Sequence, residues 1–243
     1  MVSPVLFFSG LIIFLCSCTK KDTALIPVVV PIFTPNTDSM PNSGLKKYLA
    51  LGDSYTIGTS VSESDRYPVQ TAAILKAQGI NIATPDIIAT NGWTTTNLIN
   101  GINESRLADI YDAVSLLIGV NNQYQGGTIE NYTQEFTSLI QRSVQFAGGK
   151  PDHVFVISIP DYSVTPFARG RNTKEIAAEI DAFNNANKTV AENYKVNYLN
   201  ITEESRKAAN DPSLIAPDSL HFSGKEYSIW SGKLAPMIKA VLK

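Results

Sequence analysis

The chain has 243 residues, of which 44% are hydrophobic and 17% are charged, and its formal net charge is −2. This length suits one domain of ordinary size with a tail. The near-neutral charge gives no basic surface for nucleic acid, so we expect no nucleic-acid partner. Both cysteines, Cys16 and Cys18, lie near the N-terminus, so disulfides cannot hold the rest of the chain together. The two histidines, His153 and His221, are too few for a zinc site built from several histidines.

The N-terminal segment predicts export and a lipid anchor. Val5 to Leu15 is an apolar run that is too short to span a bilayer as a helix. Ser17-Cys18 follows and resembles the lipobox of bacterial lipoproteins, in which a small residue precedes the lipidated cysteine. We therefore expect a lipoprotein signal peptide at residues 1–17, a lipid on Cys18, and a proline-containing flexible linker over residues 18–44. The lipid would hold the exported protein on a membrane, on its periplasmic or cell-surface side.

Two features of this segment leave other interpretations open. Residue 16 is itself a cysteine, and Met1 to Pro4 contains no lysine or arginine. A plain signal peptide, or a start codon set too far downstream, would explain the same pattern.

Short apolar runs alternate with helical patterns from Lys46 onward. We predict five strands, at Tyr48–Leu51, within Asn81–Ala89, and at Ala113–Ile118, Val154–Ile159 and Val196–Ile201. The intervening helices are expected at Tyr67–Gln78, from Tyr132 to Val144, from Ile176 to Tyr194, and from Tyr227 to Val241 with a kink at Pro236. Strands that are apolar on both faces and alternate with helices indicate a parallel sheet covered on both sides. Residues 45–243 are therefore predicted to form a flavodoxin-like α/β/α sandwich with a five-stranded parallel sheet.

Polar and glycine-containing blocks follow the first three predicted strands, and a fourth block precedes the last helix. In chain order they are Gly52-Asp53-Ser54, Asn91-Gly92-Trp93, Gly119-Val120-Asn121-Asn122 and Asp218-Ser219-Leu220-His221. Ligands of such sheets bind beyond the carboxyl ends of the strands. The first three blocks are therefore expected to lie together along one edge of the sheet.

These four blocks, in this order, resemble those of the SGNH hydrolases, also called GDSL esterases or lipases. The resemblance extends from about Lys46 to Lys243. It implies a serine esterase that uses no metal or organic cofactor. In that family pattern Ser54 is the nucleophile, His221 the base, and Asp218 the residue that orients the imidazole. The resemblance also implies an oxyanion hole formed by the backbone N–H groups of Ser54 and Gly92 and the side-chain amide of Asn121.

The position of the other histidine is consistent with His221 as the base, because His153 opens the fourth predicted strand at the opposite end of the sheet. One residue departs from the family pattern. Asn122 stands where the family usually has aspartate, which puts in doubt the usual support of that loop.

Each block has a purely structural interpretation as well. Ser54 and Asp53 could begin a helix, and Asn121 could serve a turn. The domain could then be an inactive binding module. A hydrogen bond between Ser54 Oγ and His221 Nε2, at about 2.6–3.2 Å or slightly longer without substrate, would distinguish the esterase from the binding module.

The substrate is expected to be an ester of a glycan or a lipid. Deacetylation of glycans is the first expectation, and a lysophospholipase or short-chain lipase is the alternative. Five aromatic residues fall in or beside the loops at the strand ends, and they could line a cleft or simply pack the loops: Tyr55, Trp93, Tyr124, Tyr162 and Phe167. The sequence does not define an oligomeric state.

Overall fold

The apolar runs form the strands of one parallel sheet in the computed structural model, which describes residues 44–107 and 110–242. The strands are β1 (Tyr48–Gly52), β2 (Asp86–Ala89), β3 (Ala113–Leu117), β4 (Val154–Ile157) and β5 (Asn197–Leu199). The α-helices are α1 (Ser54–Ile57), α2 (Tyr67–Ala77), α3 (Thr95–Glu104), α4 (Val120–Tyr124), α5 (Ile129–Phe146), α6 (Thr173–Asn193), α7 (Thr202–Ser205) and α8 (Gly224–Val241). Short 3₁₀ turns occupy Glu63–Asp65, Pro151–His153, Tyr162–Val164, Pro166–Ala168, Arg206–Ala209 and Pro212–Leu214. The expected signal peptide, Cys18 and linker lie outside the described residues, apart from Gly44.

The strand order across the sheet is β2-β1-β3-β4-β5, and every neighbouring pair is parallel. This is the doubly wound order of flavodoxin-like folds, so the predicted fold class is confirmed. From β1 the chain goes to β2 at one edge of the sheet, and it then crosses back to β3 and continues through β4 to β5 at the other edge. Such sheets bind ligands in the crevice at this switch point, beyond the carboxyl ends of the two central strands.

The burial of the strands explains their sequence patterns. All residues of β1, β3 and β4 are buried, whereas the edge strands β2 and β5 are partly exposed. Helices cover both faces of the sheet: α2 packs on α8, and α5 packs on both α3 and α6. Apolar burial on two faces is what makes β1, β3 and β4 nearly continuous hydrophobic runs.

Strand and helix ends differ from the predicted ones where side chains replace backbone partners. The run Val154–Ile159 leaves the sheet after Ile157, because the Ile159 N–H donates to Asn184 Oδ1 at 2.8 Å instead of to a strand. Helices α5, α6 and α8 begin three residues before their predicted first residues, since Thr128, Asn172 and Ser223 accept hydrogen bonds from the first turns. Pro236 does not interrupt α8, which continues to Val241.

Candidate active site

The four blocks identified in the sequence meet at the switch point of the sheet. Ser54 follows β1, Gly92 follows β2, Asn121 follows β3, and His221 lies shortly before α8. All four line one cavity with a volume of about 220 Å³. Asp218 lies behind His221 and completes the set of residues that the sequence pattern singled out.

The Gly-Asp-Ser block forms the turn after β1 and places Ser54 in the cavity. A Cβ on Gly52 would lie 2.1 Å from Thr56 Oγ1 and 2.4 Å from the Leu117 carbonyl oxygen, so no larger residue fits between β1 and β3. Asp53 caps the short helix α1, since its Oδ1 accepts the Tyr55 N–H at 3.0 Å. Ser54 is the first residue of α1, and its side chain lies at the floor of the cavity with 5% of its surface exposed.

Burial gives Asp53 an unusual protonation behaviour. The carboxyl group is fully buried, and its Oδ2 has no hydrogen-bond partner among the described residues. Burial raises the pKa of Asp53 from 3.8 to about 7. The hydrogen bonds that its carboxylate accepts from backbone N–H groups lower the pKa, but by less. The group next to Ser54 is therefore neutral in the folded protein below about pH 7.

Asp218 and His221 form a close pair on one turn of chain. His221 Nδ1 donates to Asp218 Oδ2 at 2.6 Å, while the backbone N–H groups of Leu220 and His221 donate to Asp218 Oδ1 at 3.0 and 2.9 Å. Ser219 has φ +66°, and this left-handed residue lets the turn fold back on the carboxylate. With Nδ1 donating to Asp218, the imidazole keeps Nε2 free to accept a proton.

Ser60 is a further partner of Asp218 that no sequence motif indicated. Its hydroxyl donates to Asp218 Oδ2 at 2.6 Å from the loop after α1. Partial burial raises the pKa of Asp218, but the hydrogen bonds from Ser60, His221 and the backbone outweigh it and lower that pKa to about 2. Asp218 is therefore an ionised acceptor at neutral pH.

The hydrogen bond expected between Ser54 Oγ and His221 is not formed. Both side chains line the cavity, but no hydrogen bond joins them within residues 44–107 and 110–242. Catalytic hydrogen bonds of this kind are often long before a substrate binds. Ser54 and His221 therefore share a cavity without a hydrogen bond between them.

The loops after β2 and β3 hold each other in place. Asn121 Nδ2 donates to the Trp93 carbonyl at 2.9 Å, which uses one of its two amide hydrogens and leaves the other available. Gly92 has φ +77°, a conformation that other residues rarely adopt, and its carbonyl accepts from Gln125 Nε2 at 3.3 Å. Gly92 and Asn121 are thus fixed relative to each other at the rim of the cavity.

Asn122, the departure from the family pattern, is the centre of a buried polar network. Its Oδ1 accepts the Thr95 N–H at 3.0 Å and its Nδ2 donates to Thr95 Oγ1 at 2.7 Å. The Thr95 hydroxyl in turn donates to Glu135 of α5, whose other carboxylate oxygen accepts from Thr96 at 2.7 Å. A hydroxyl has a single hydrogen, and here Glu135 takes it. Only a donor at position 122 completes the network, which gives a physical reason for asparagine in place of aspartate.

The aromatic residues near the site separate into two groups. Tyr55 is buried, with its ring edge-on to His221 at 5.5 Å, and Trp93 packs over Gly101. Tyr124, Tyr162 and Phe167 line the cavity. Tyr55 also lines the cavity although it is buried, so four of these five aromatic side chains line the site and Trp93 does not.

The fold is the parallel α/β/α fold of the SGNH hydrolases. The family model of the GDSL-like lipase/acylhydrolase family matches residues 50–229. The chain therefore belongs to this family and is a hydrolase that acts on ester bonds.

Several solved structures share this fold at low sequence identity. A lipase/acylhydrolase from Enterococcus faecalis has 19% identity and a TM-score of 0.66, over 82% of this chain and 98% of that one. An acetylxylan esterase from Geobacillus stearothermophilus has 20% identity and a TM-score of 0.61, over 79% and 94%. A psychrotrophic esterase from Pseudoalteromonas sp. has 15% identity and a TM-score of 0.58, over 81% and 98%. No curated protein sequence matches the chain.

The buried Asp53 makes the effect of Asp53→Asn depend on pH. Between pH 4 and 7 the folded protein keeps a proton on Asp53 that the unfolded chain has lost, so the contribution of Asp53 to stability falls as the pH rises through this range. Asparagine retains the cap and cannot ionise. We therefore compare the free energy of unfolding of Asp53→Asn with that of wild type at two pH values. We expect the difference, variant minus wild type, to be about 2–4 kcal/mol larger at pH 8 than at pH 4. Denaturant unfolding at both pH values measures this difference, with exposed Asp152→Asn as the control. A difference that does not change with pH would contradict a buried, neutral Asp53.

The network around Thr95 predicts a rescue between positions 122 and 135. Asn122→Asp replaces a donor by an acceptor beside a hydroxyl whose hydrogen Glu135 already takes, so it should lower the free energy of unfolding by about 1–3 kcal/mol. Adding Glu135→Gln supplies a donor from the other side and frees the Thr95 hydrogen for the new aspartate. The double variant is therefore expected to recover most of the lost stability. Thermal or denaturant unfolding of the two single variants and the double variant tests this, and additive losses would show that the two positions do not share a hydrogen.

Proposed function

We propose that this chain is a serine esterase that hydrolyses short acyl esters through an acyl-serine intermediate, and that its substrates are acetylated glycans. The observation that carries the proposal is the cavity in which Ser54 and His221 lie together with Gly92 and Asn121, with an ionised Asp218 holding His221 Nδ1. Family membership makes ester hydrolysis the reaction to which these residues are assigned.

The first step forms the acyl-enzyme. Ser54 Oγ attacks the ester carbonyl carbon while its proton passes to His221 Nε2, which gives a tetrahedral intermediate. The oxyanion accepts hydrogen bonds from the N–H groups of Ser54 and Gly92 and from the second amide hydrogen of Asn121. When the intermediate collapses, the bond to the alcohol oxygen breaks and His221 gives that oxygen its proton.

The second step releases the acid. Water attacks the acyl-serine carbonyl, and His221 takes its proton and returns one to Ser54 Oγ. Asp218 keeps the imidazole oriented and stabilises the imidazolium in both steps. Its low pKa, about 2, means that this negative charge is present throughout the neutral pH range.

The size of the cavity supports a small acyl group. Its volume of about 220 Å³ is below the roughly 300–1,000 Å³ of sites that enclose drug-sized ligands. An acetylxylan esterase is among the proteins with a similar fold, which supports acetyl groups on a glycan. A lysophospholipase or short-chain lipase is the alternative, since Val120, Phe167 and Leu220 give the cavity apolar walls.

Hydrolysis of p-nitrophenyl esters from acetate to laurate tests the reaction and the acyl length together. We expect wild type to cleave acetate and butyrate faster than laurate, because a long chain exceeds the cavity. Ser54→Ala should reduce kcat at least about 1,000-fold, since it removes the nucleophile. Ser138→Ala, an exposed serine on α5, is the matched control. Equal rates for wild type and Ser54→Ala would exclude Ser54 as nucleophile. A maximum at laurate would favour the lysophospholipase, and a maximum at butyrate would favour the short-chain lipase.

We propose in addition that the protein is exported and anchored to a membrane by a lipid on Cys18. The apolar run and the Ser17-Cys18 pair support this proposal, and both lie outside the described residues. In the region from residue 44 to 242, apart from 108 and 109, the structure contains no helix with the length and hydrophobicity to cross a membrane.

The neighbouring cysteine provides a matched control for the anchor. In a bacterial host that processes lipoproteins, Cys18→Ser is expected to move the full chain from the membrane fraction to the soluble fraction, because the lipidated thiol is lost. Cys16→Ser should leave the full chain in the membrane fraction. Fractionation followed by immunoblotting measures both, and a Cys18→Ser variant that stays with the membrane would show that Cys18 is not the anchor.

A further inference from the structure

We propose that the ring of Tyr124 is the platform on which a pyranose ring of the substrate packs, an inference that rests on the proposed esterase function. Tyr124 is the last residue of α4 and lies three residues after Asn121, so both side chains project from one short helix. It lines the cavity, yet 47% of its surface is exposed. Among the described residues, the other exposed large hydrophobic side chains are Leu45 and Ile110, which do not line the cavity.

The exposed ring of Tyr124 packs against two other aromatic rings and an arginine. Tyr162 lies edge-on to it at 6.2 Å and Phe167 is tilted against it at 6.0 Å. The Arg171 guanidinium lies 5.2 Å from the Tyr124 ring centre, and its Nη2 donates to the Tyr124 hydroxyl at 3.2 Å. Arg171 also lies 4.6 Å from the centre of the Phe167 ring. A ring fixed in this way loses little conformational entropy when a ligand binds to it.

The chemistry of such a surface suits a sugar. A pyranose has an apolar face of C–H groups and a rim of hydroxyls, so it can cover an aromatic ring while the hydroxyls stay in water. An acyl chain instead gains most from an enclosed apolar slot, which a half-exposed ring at the mouth of a cavity does not provide. Arg171 lies over one face of the Tyr124 ring and donates to its hydroxyl, so the ring surface that stays exposed is the part offered to the ligand. Tyr124 would thus bind the alcohol half of the ester, beside the oxyanion donor of the acyl half.

Two triacetates, one with a pyranose ring and one without, test this inference. Fully acetylated methyl xylopyranoside and glycerol triacetate each carry three acetate esters, but only the first has a pyranose face. We expect Tyr124→Ala to raise the ratio of KM for the pyranoside to KM for glycerol triacetate by about 3- to 10-fold, with a smaller change in kcat. Tyr124→Phe retains the ring and should keep the wild-type ratio.

The controls separate binding from folding and from the esterase reaction itself. Tyr194→Ala removes a partly exposed tyrosine at the end of α6 that accepts a hydrogen bond from Gln141 away from the cavity, and it should leave the KM ratio unchanged. Thermal unfolding of Tyr124→Ala shows whether the variant is folded. An unchanged ratio in folded Tyr124→Ala, an equal loss on both triacetates, or a loss confined to p-nitrophenyl laurate would overturn the sugar platform. If wild type does not cleave glycerol triacetate in a Ser54-dependent way, the proposed function fails instead.

Discussion

The carboxylate of Asp218 is the acceptor on which the geometry of the site depends. It receives hydrogen bonds from the His221 ring, from two backbone N–H groups of its own turn and from Ser60. The Ser60 bond matters because Ser60 belongs to the loop that leaves the helix of Ser54. One ionised group therefore connects the segment that carries Ser54 to the segment that carries His221, and its low pKa keeps that connection intact at neutral pH.

A second set of hydrogen bonds, centred on Asn122, connects the segments on the other side of the cavity. It joins the loop after β3 to the first turn of α3, and Glu135 extends the network to α5. Asn121 reinforces it through the Trp93 carbonyl. These bonds leave Gly92 and Asn121 little freedom to move apart. Asn122 donates to the Thr95 hydroxyl, and that hydroxyl donates to the carboxylate of Glu135. The negative charge of this network is therefore on Glu135 instead of on position 122.

Much of this arrangement could be predicted from the sequence, because buried strands and tight turns restrict which residues can occupy them. The central strands are buried on both faces and so appear as apolar runs. Gly52 has no room for a side chain and Gly92 has positive φ, so both turns are visible as glycines. The contacts of Ser60 and Glu135 could not be predicted, since Ser60 meets Asp218 across 158 residues and Glu135 meets Thr95 across 40. The ends of β4 and β5 differ from the predicted ends for a similar reason. Apolar residues continue past both strands, but the backbone N–H groups there donate to the side chains of Asn184 and Ser158.

The aromatic residues show where sequence and structure give different kinds of information. Tyr55 and Tyr124 both follow a strand end closely and both line the cavity, but Tyr55 is buried and Tyr124 is 47% exposed. No local pattern distinguishes them, because burial depends on which helices pack above each loop. The hydrogen bonds of Asp218 and Asn122 hold the residues of the proposed reaction without contacting any substrate, so the choice of substrate must depend on the residues that surround them. Helix α4 carries both Asn121 and Tyr124, so this short turn sets the distance between the proposed oxyanion donor and the proposed sugar platform. A change at Tyr124 can therefore alter the proposed specificity while the hydrogen bonds of Asp218 and Asn122 remain as they are.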